Sequence, residues 1–347
     1  FFIVITAIGL REAIIRSIPD AVKTAITPGI GLFITIIGLK NAGIVISNPA
    51  TLVSLVDFSQ WKIEGADLAL MSSALVALAG LVIMGMLHAR KVKGSILLGI
   101  VAATLIGIPL GVTHISNLDM NIGMKFRDFA EVSFMKMDFA GLFSGTNMVE
   151  TIFTVTMLVI SFSLVNMFDS IGTLLGAAKQ SGMIDENGEV IRMKQALMSD
   201  AISTAAGAMV GTSTVTTVVE SSAGIAAGGR TGLTSLVTAL MFLGAILFAP
   251  IVSIVPAAAT APALIFVGIL MLGNIRDVDF SDMSNALPAF CTIVFMPFTY
   301  SIANGVAFGL ITYCLMKLTT GRRQDVKVLT LAISVVFVVR YAFMTLG

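Results

Sequence analysis

Asp169 and Glu220 are the acidic residues whose surroundings call for chemistry. Asp169 lies in the stretch "SLVNMFDSIGTLLGAA", at the end of a run without charge that begins after Glu150. A carboxylate at mid-membrane costs about 2.5–3.5 kcal/mol on insertion scales, so it must face protein or water. Asn166 stands three residues before Asp169 and shares its helical face. Gly172 and Gly176 continue close to that face and leave it narrow, so that another element can approach closely. The simpler alternative is an Asp that only pairs with a helix end or with Ser170.

Glu220 lies in "GTSTVTTVVESSAGIAAGGRTG", from Gly211 to Gly232. Thr212 to Val219 are short, hydroxylated or β-branched, which suits extended backbone better than helix. Extended backbone at membrane depth survives only inside protein or along a polar cavity. The following "ESSAGIAAGG" reads as a half-helix at 220–228, ended by Gly228 and Gly229 with Arg230 at the cytoplasmic surface. A strand-like half followed by a half-helix is the broken-helix pattern of transporters, with the positive end of the helix dipole opening near a polar ligand. The competing reading is an unbroken helix whose hydroxyls bond back to the preceding turn.

Carboxylates accept hydrogen bonds and take pairs of parallel N–H donors in one plane. A purine or pyrimidine edge offers that geometry, and a proton can compensate the carboxylate when the solute is neutral, which is a route to symport. On this reading Glu220 is the main ligand for the N–H edge. Asp169 is the proton-linked or structural carboxylate, and Asn166 is a second polar contact. Ser213, Thr214 and Thr216 offer hydroxyl or backbone contacts from the strand-like half, and proton coupling rests on Asp169 and Glu220.

The elements that must hold these residues are membrane helices. The chain is 56% hydrophobic and 12% charged, with a mean hydropathy of +0.99, against about 25% charge in ordinary soluble domains. Apolar segments occur near 25–39, 66–87, 95–113, 150–176, 198–211, 233–255, 259–273, 286–299, 301–316 and 328–345. The last is either a further span or a helix along the interface. A net charge of +1 implies no nucleic acid or other polyanionic partner. Cys291 and Cys314 fall in apolar segments and form no disulfide framework. His88 and His114 lie near span ends, leaving no metal ligand set and no nucleophile–base pair for a membrane-embedded enzyme.

Basic residues cluster at 10–16, 88–93, 179–194, 228–230, 275–277 and 317–327, which the positive-inside rule places on the cytoplasmic face. Segments 44–65 and 114–149 become the loops of the opposite face. Pro28 with Gly29, Gly107 with Pro109, Pro250 and Pro256 interrupt or end spans, and Pro288 and Pro297 flank a short one; since Gly and Pro are common in membrane helices, most of these read as bends and close-packing points. "IPDAVKTAITPGIGLFITIIGLKNA" from Ile18 and "VPAAATAPALIFVGILMLGNI" from Val255 share two prolines, an apolar run and a Gly/Asn finish, as an inverted-repeat transporter would.

Three stretches carry a resemblance: "IGLREAIIRSIPDAVKTAITPGIGLFITIIGLKNAGIVISNPATLV", "MFDSIGTLLGAAKQSGM" and "GTSTVTTVVESSAGIAAGGRTGLTSLVTALMF". Together the chain closely resembles the AzgA-like purine permeases of the nucleobase:cation symporter-2 family. The resemblance implies an all-α polytopic membrane protein of two inverted seven-span repeats, split into core and gate domains, in the plasma membrane and often dimeric. By that mapping residues 1–10 are the tail of a truncated core-domain span, and the first three spans are missing. Residues 18–113 are the gate spans of the first repeat, 150–255 the core spans carrying the substrate site, and 259–345 the gate spans of the second repeat. The family's substrate positions fall on Asn166, Asp169 and Glu220; many relatives carry Asp where this chain has Asn166, which bears on purine choice. The function implied is proton-coupled uptake of purine nucleobases, hypoxanthine/guanine or adenine, by alternating access, with the proton as coupling ion and no other cofactor. An anion or other small-solute transporter of the same broken-helix architecture is the rival.

Overall fold

The structure is a computed structural model. It describes residues 2–59, 68–114, 127, 129–138, 141, 148–186, 189–218, 220–247 and 254–346. Pro250 and most of the 114–149 loop lie outside the described residues. Thirteen α-helices are described: α1 (Phe2–Ala7), α2 (Leu10–Ser17), α3 (Asp20–Asn41), α4 (Leu68–Ala89), α5 (Ser95–Gly107), α6 (Met148–Ser181), α7 (Met193–Val210), α8 (Ser221–Ala226), α9 (Gly232–Leu247), α10 (Ala257–Leu272), α11 (Met283–Phe298), α12 (Ile302–Thr319) and α13 (Val328–Leu346). Among the described residues, four helical segments are long and apolar enough to cross a membrane: Asp20–Asn41, Leu68–Ala89, Ala257–Asp277 and Ile302–Thr319. Large apolar side chains are exposed along other helices too, such as Leu97 and Val101 on α5, Leu240 and Leu243 on α9, and Val335 and Val338 on α13. Apolar surface on this scale suits lipid, not water.

Among the described residues one strand hairpin departs from the helices. Val45–Asn48 (β1) and Leu52–Leu55 (β2) form an antiparallel hairpin with Val45 opposite Leu55. Its turn is built by Asn48, whose Oδ1 accepts the Ala50 N–H at 2.8 Å, a bond that Asn makes more readily than a helix former. The hairpin lies within the 44–65 loop.

The chain divides into two compact units. One comprises residues 31–122 and 220–273. In it α4, α5 and α10 pack mutually, and small residues set the spacing. A Cβ on Gly80 would lie 2.9 Å from Ala103 Cβ and 3.2 Å from Pro262 Cγ, so nothing larger than glycine fits at this crossing. The two segments sharing the Pro/Gly/Asn pattern also meet here. A Cβ on Gly31 would approach Gly268 O to 2.9 Å, and one on Gly268 would approach Gly31 O to 2.7 Å.

The other unit comprises residues 1–30, 123–219 and 274–347. In it α11 and α12 form a tight hairpin, and α13 returns antiparallel along α12. Cys314 Sγ meets Ser334 Oγ at 3.3 Å, and Tyr341 OH donates to Asn304 Oδ1 at 3.0 Å. The segment 328–345 therefore runs along the whole of α12. Charge closes the other end of this hairpin: Arg322 Nη1 donates to Asp282 Oδ2 at 2.6 Å, and Lys317 Nζ donates to Ser284 Oγ at 2.8 Å.

Prolines stand at helix ends at Pro109 and Pro256 and within helices at Pro28, Pro288 and Pro297. Pro28 lies inside a continuous α3, and Pro288 and Pro297 both lie inside α11, not at its flanks. Within α11 the Thr292 hydroxyl donates to Pro288 O at 2.9 Å, the bond a helical threonine makes back to the preceding turn. Gly29 is used for contact, because a Cβ there would come within 2.7 Å of Met296 Sδ and 3.2 Å of Ile293 Cα.

Candidate functional site

α7 stops at Gly211, which takes the left-handed conformation (φ 83°). Thr212 N–H then bonds back to Gly207 O at 3.0 Å, a glycine-terminated helix end. Residues 212–218 are neither helical nor paired into a strand. Side chains meet some of their backbone groups: Thr204 Oγ1 donates to Val215 O at 3.0 Å, and Asp200 Oδ1 accepts the Thr217 N–H at 3.2 Å. Irregular backbone in a membrane chain needs such partners. The half-helix is shorter than 220–228: α8 runs from Ser221 to Ala226, with Glu220 at its N-cap position and Gly228 at φ 108° behind it. Arg230 Nη1 donates to Ile225 O at 2.5 Å and to Gly229 O at 2.7 Å, satisfying the carbonyls of the helix end. The helix is therefore broken, and the unbroken alternative does not hold.

A buried polar chain holds the irregular segment at 212–218. Arg11 Nη2 and Asp200 Oδ2 form an ion pair at 2.8 Å, with side chains 0% and 1% exposed. Arg11 Nη1 also donates to Leu197 O at 3.1 Å. On the other carboxylate oxygen, Asp200 Oδ1 accepts the Thr216 hydroxyl at 2.8 Å. Since that hydroxyl spends its one hydrogen on Asp200, it must accept from Ser170 Oγ, 2.6 Å away. The chain of bonds thus ties α2, α7, the irregular segment and α6 together.

Asp169 has a partner 134 residues away in sequence. Its Oδ1 accepts the Ala303 N–H at 3.0 Å, in the first turn of α12. A carboxylate at a helix start meets both unpaired N–H groups and the positive end of the helix dipole. Gly172, one turn further along α6, makes this approach possible: a Cβ there would stand 2.9 Å from Ile302 Cγ2 and 3.6 Å from Ile26 Cγ2.

The structure brings the sequence-predicted residues together only in part. Asn166 and Asp169 are half-buried on α6, and Ser170, which follows them, is bonded to Thr216. Ser213 and Thr214 are exposed. Glu220 is exposed, makes no side-chain cap hydrogen bond, and belongs to the other unit. Arg11 and Asp200 are polar residues that sequence reasoning passed over. Arg11 was grouped with a cytoplasmic basic cluster, although it is fully buried. Asp200 did carry a signal, being the one charge in the apolar segment 198–211.

A multi-pass helical membrane protein with a discontinuous helix and polar side chains gathered around the break has the architecture of a solute carrier. Comparison with known proteins makes this specific. The profile of the Permease family (Xan_ur_permease) matches residues 1–308, and the chain belongs to that family. It is 39% identical over 341 residues to the adenine permease AdeP of Escherichia coli (strain K12), covering 98% of this chain and 71% of AdeP. It is 36% identical over 350 residues to the guanine/hypoxanthine permease PbuO of Bacillus subtilis (strain 168), covering 98% of this chain and 74% of PbuO. It is 39% identical over 344 residues to the putative permease MJ0326 of Methanocaldococcus jannaschii, covering 99% of this chain and 74% of that protein. These matches bear out the AzgA-like resemblance: the chain is a membrane permease and not an enzyme.

Proposed function

We propose that this permease takes up purine nucleobases with protons across the plasma membrane by alternating access. The observation that carries the reading is the break after Gly211, which leaves irregular backbone at 212–218 and, beyond it, an exposed N-cap carboxylate, Glu220, that makes no side-chain cap hydrogen bond. Similarity to proteins named as adenine and guanine/hypoxanthine permeases supports the solute class. Glu220 accepts the N–H edge of the base, Asn166 supplies a second polar contact, and Ser213 and Thr214 offer hydroxyls from the irregular segment. Thr216 acts through its bonds to Ser170 and Asp200 as much as through the solute.

Proton coupling rests on Asp169 and Glu220. One charge crossing the membrane supplies about 2.3 kcal/mol per 100 mV, enough to accumulate a neutral base. Residues 150–255 are the core that holds solute, and 18–113 with 259–345 are the gate it moves against. An acid at the N-cap of the half-helix argues against an anion as the solute, because it offsets the dipole that an anion would use.

The test is uptake of labelled hypoxanthine in a host without its own purine uptake, with adenine, guanine, xanthine and uracil as competitors. Glu220→Gln loses uptake while its level in the membrane is retained. Normal uptake by that variant, or no competition by any purine, ends this assignment.

A further inference from the structure

A cavity of about 490 Å³ opens where α2, α3, α6 and the first turn of α7 meet, all within one unit. That volume is in the range of small-molecule sites. Buried Ile15 and half-buried Leu175, Val190 and Met193 give it an apolar wall. Charged side chains line the rest, and none of the residues proposed above to hold the transported solute is among them.

Four of these charges have partners. The chain between α6 and α7 folds back on itself: the Asp185 N–H donates to Glu189 O at 2.9 Å, and Ile184 bridges Val190. Asp185 Oδ1 accepts the Glu189 N–H at 2.8 Å, so that carboxylate is turned to its own loop. From α2, Arg16 Nη2 pairs with Glu189 Oε2 at 3.0 Å. Lys23 on α3 stands 3.7 Å from Asp20.

The other three do not. The Arg192 and Lys194 side chains are exposed and make no ion pair among the described residues. No acid stands in the first turn of α7 to offset them, and the positive end of the helix dipole adds to their charge. Arg192 also takes the left-handed conformation (φ 58°), in which a residue with a side chain is strained. Glu12 on α2 has the opposite need: its Oε1 is buried and makes no hydrogen bond among the described residues. A buried carboxylate oxygen without a donor is costly.

We propose that this cavity binds a phosphate-bearing ligand that also carries N–H donors. The phosphate meets Arg192 and Lys194 through charge-assisted hydrogen bonds, the N–H group meets Glu12 Oε1, and the apolar wall takes the body of the ligand between them. Two sources share that chemistry: a soluble nucleotide, and the headgroup of an ethanolamine phospholipid. Both occur on the cytoplasmic side, where the positive-inside rule puts the basic clusters at 10–16 and 179–194 that border the cavity. The site goes beyond the transport reading and does not depend on which solute the permease carries.

The experiment follows the thermal midpoint of purified protein with two matched pairs of probes. In detergent, GMP is compared with ribose 5-phosphate, which has the phosphate and no N–H. In nanodiscs, phosphatidylcholine, whose quaternary ammonium has no N–H, is compared with the same lipid carrying added phosphatidylethanolamine. A probe at about a hundred times its dissociation constant raises the parent's midpoint by about 5 °C. A shift with GMP identifies the soluble source, and one with phosphatidylethanolamine the headgroup. Either supports the site when Arg192→Gln/Lys194→Gln abolishes it while leaving the unliganded midpoint near the parent's. Lys194→Gln alone weakens the same shift, and decides the matter if the double variant folds poorly. Glu12→Gln brings the two members of the responding pair together. No shift with GMP or phosphatidylethanolamine in the parent, or a shift that the Arg192 and Lys194 variants keep, overturns the site. Equal shifts from both members of a pair in the parent overturn the part given to Glu12.

Discussion

Arg11→Met tests whether the irregular segment is held by the buried ion pair beneath it. The substitution keeps the apolar stem and removes the guanidinium from a pair whose side chains are 0% and 1% exposed. Removing one partner of a buried pair costs about 3–5 kcal/mol, because the other charge is left uncompensated. Here the lower end applies: Asp200 Oδ1 keeps its bonds from the Thr216 hydroxyl at 2.8 Å and the Thr217 N–H at 3.2 Å. A cost of about 3 kcal/mol in a chain of this size lowers the thermal midpoint by about 6 °C, at roughly 2 °C per kcal/mol. The assay is thermal unfolding of detergent-purified protein. Arg11→Met/Asp200→Asn serves as comparison, since removing the stranded charge returns part of the loss. Arg11→Lys is expected to fall between parent and Arg11→Met, because one ammonium cannot reach the Leu197 carbonyl and the carboxylate with the fork of a guanidinium. An Arg11→Met midpoint within about 1 °C of the parent, or a double variant less stable than Arg11→Met, refutes the reasoning.

Other predictions concern packing and pH. Gly305→Ala places a Cβ 2.7 Å from Thr292 O and 3.0 Å from Met296 N; since backbone cannot yield as a side chain does, α11 and α12 separate at a cost of about 1–3 kcal/mol. Gly85→Ala, with no atom within 4 Å of the added Cβ, leaves the midpoint unchanged or raises it, and a loss at Gly85 equal to that at Gly305 would remove the packing argument. The Asp282 carboxyl is held down at about 2 by the Ser284 N–H first, then the Ser284 hydroxyl and Arg322. Because the folded value lies below the unfolded value of about 3.9, its stabilisation is complete above that value and is lost as pH falls through the folded one. The stability difference between parent and Asp282→Asn should therefore stay constant from neutral pH to about pH 4 and then shrink; a difference that already fades near neutrality contradicts this.

Much of the site was legible because membrane chemistry is severe. A carboxylate after a long uncharged run and a β-branched, hydroxyl-rich stretch before small residues are both costly in a bilayer, so their presence pointed to a polar face and a broken helix. Both are seen, at Asp169 and at 211–220. A proline's position marks a missing donor, and a membrane helix can run on through it as a packing point. Pro28, Pro288 and Pro297 all lie within continuous helices. The hairpin at 45–55 escaped because its strands are only four residues each and lie in a short loop between spans.

Composition and residue order by themselves determined that the chain lies in a membrane and where its apolar segments run, and they pointed to a break before Glu220 while leaving an unbroken helix open. Those are local consequences of transfer free energy and backbone hydrogen bonding, which each segment meets alone. Only the tertiary structure decided the partners: Asp169 with the start of α12, Arg11 with Asp200, and Thr216 between Ser170 and Asp200. A charge or hydroxyl announces its need for a partner in sequence, but which distant donor meets it depends on how glycine-lined helices pack, and that is a property of the whole fold.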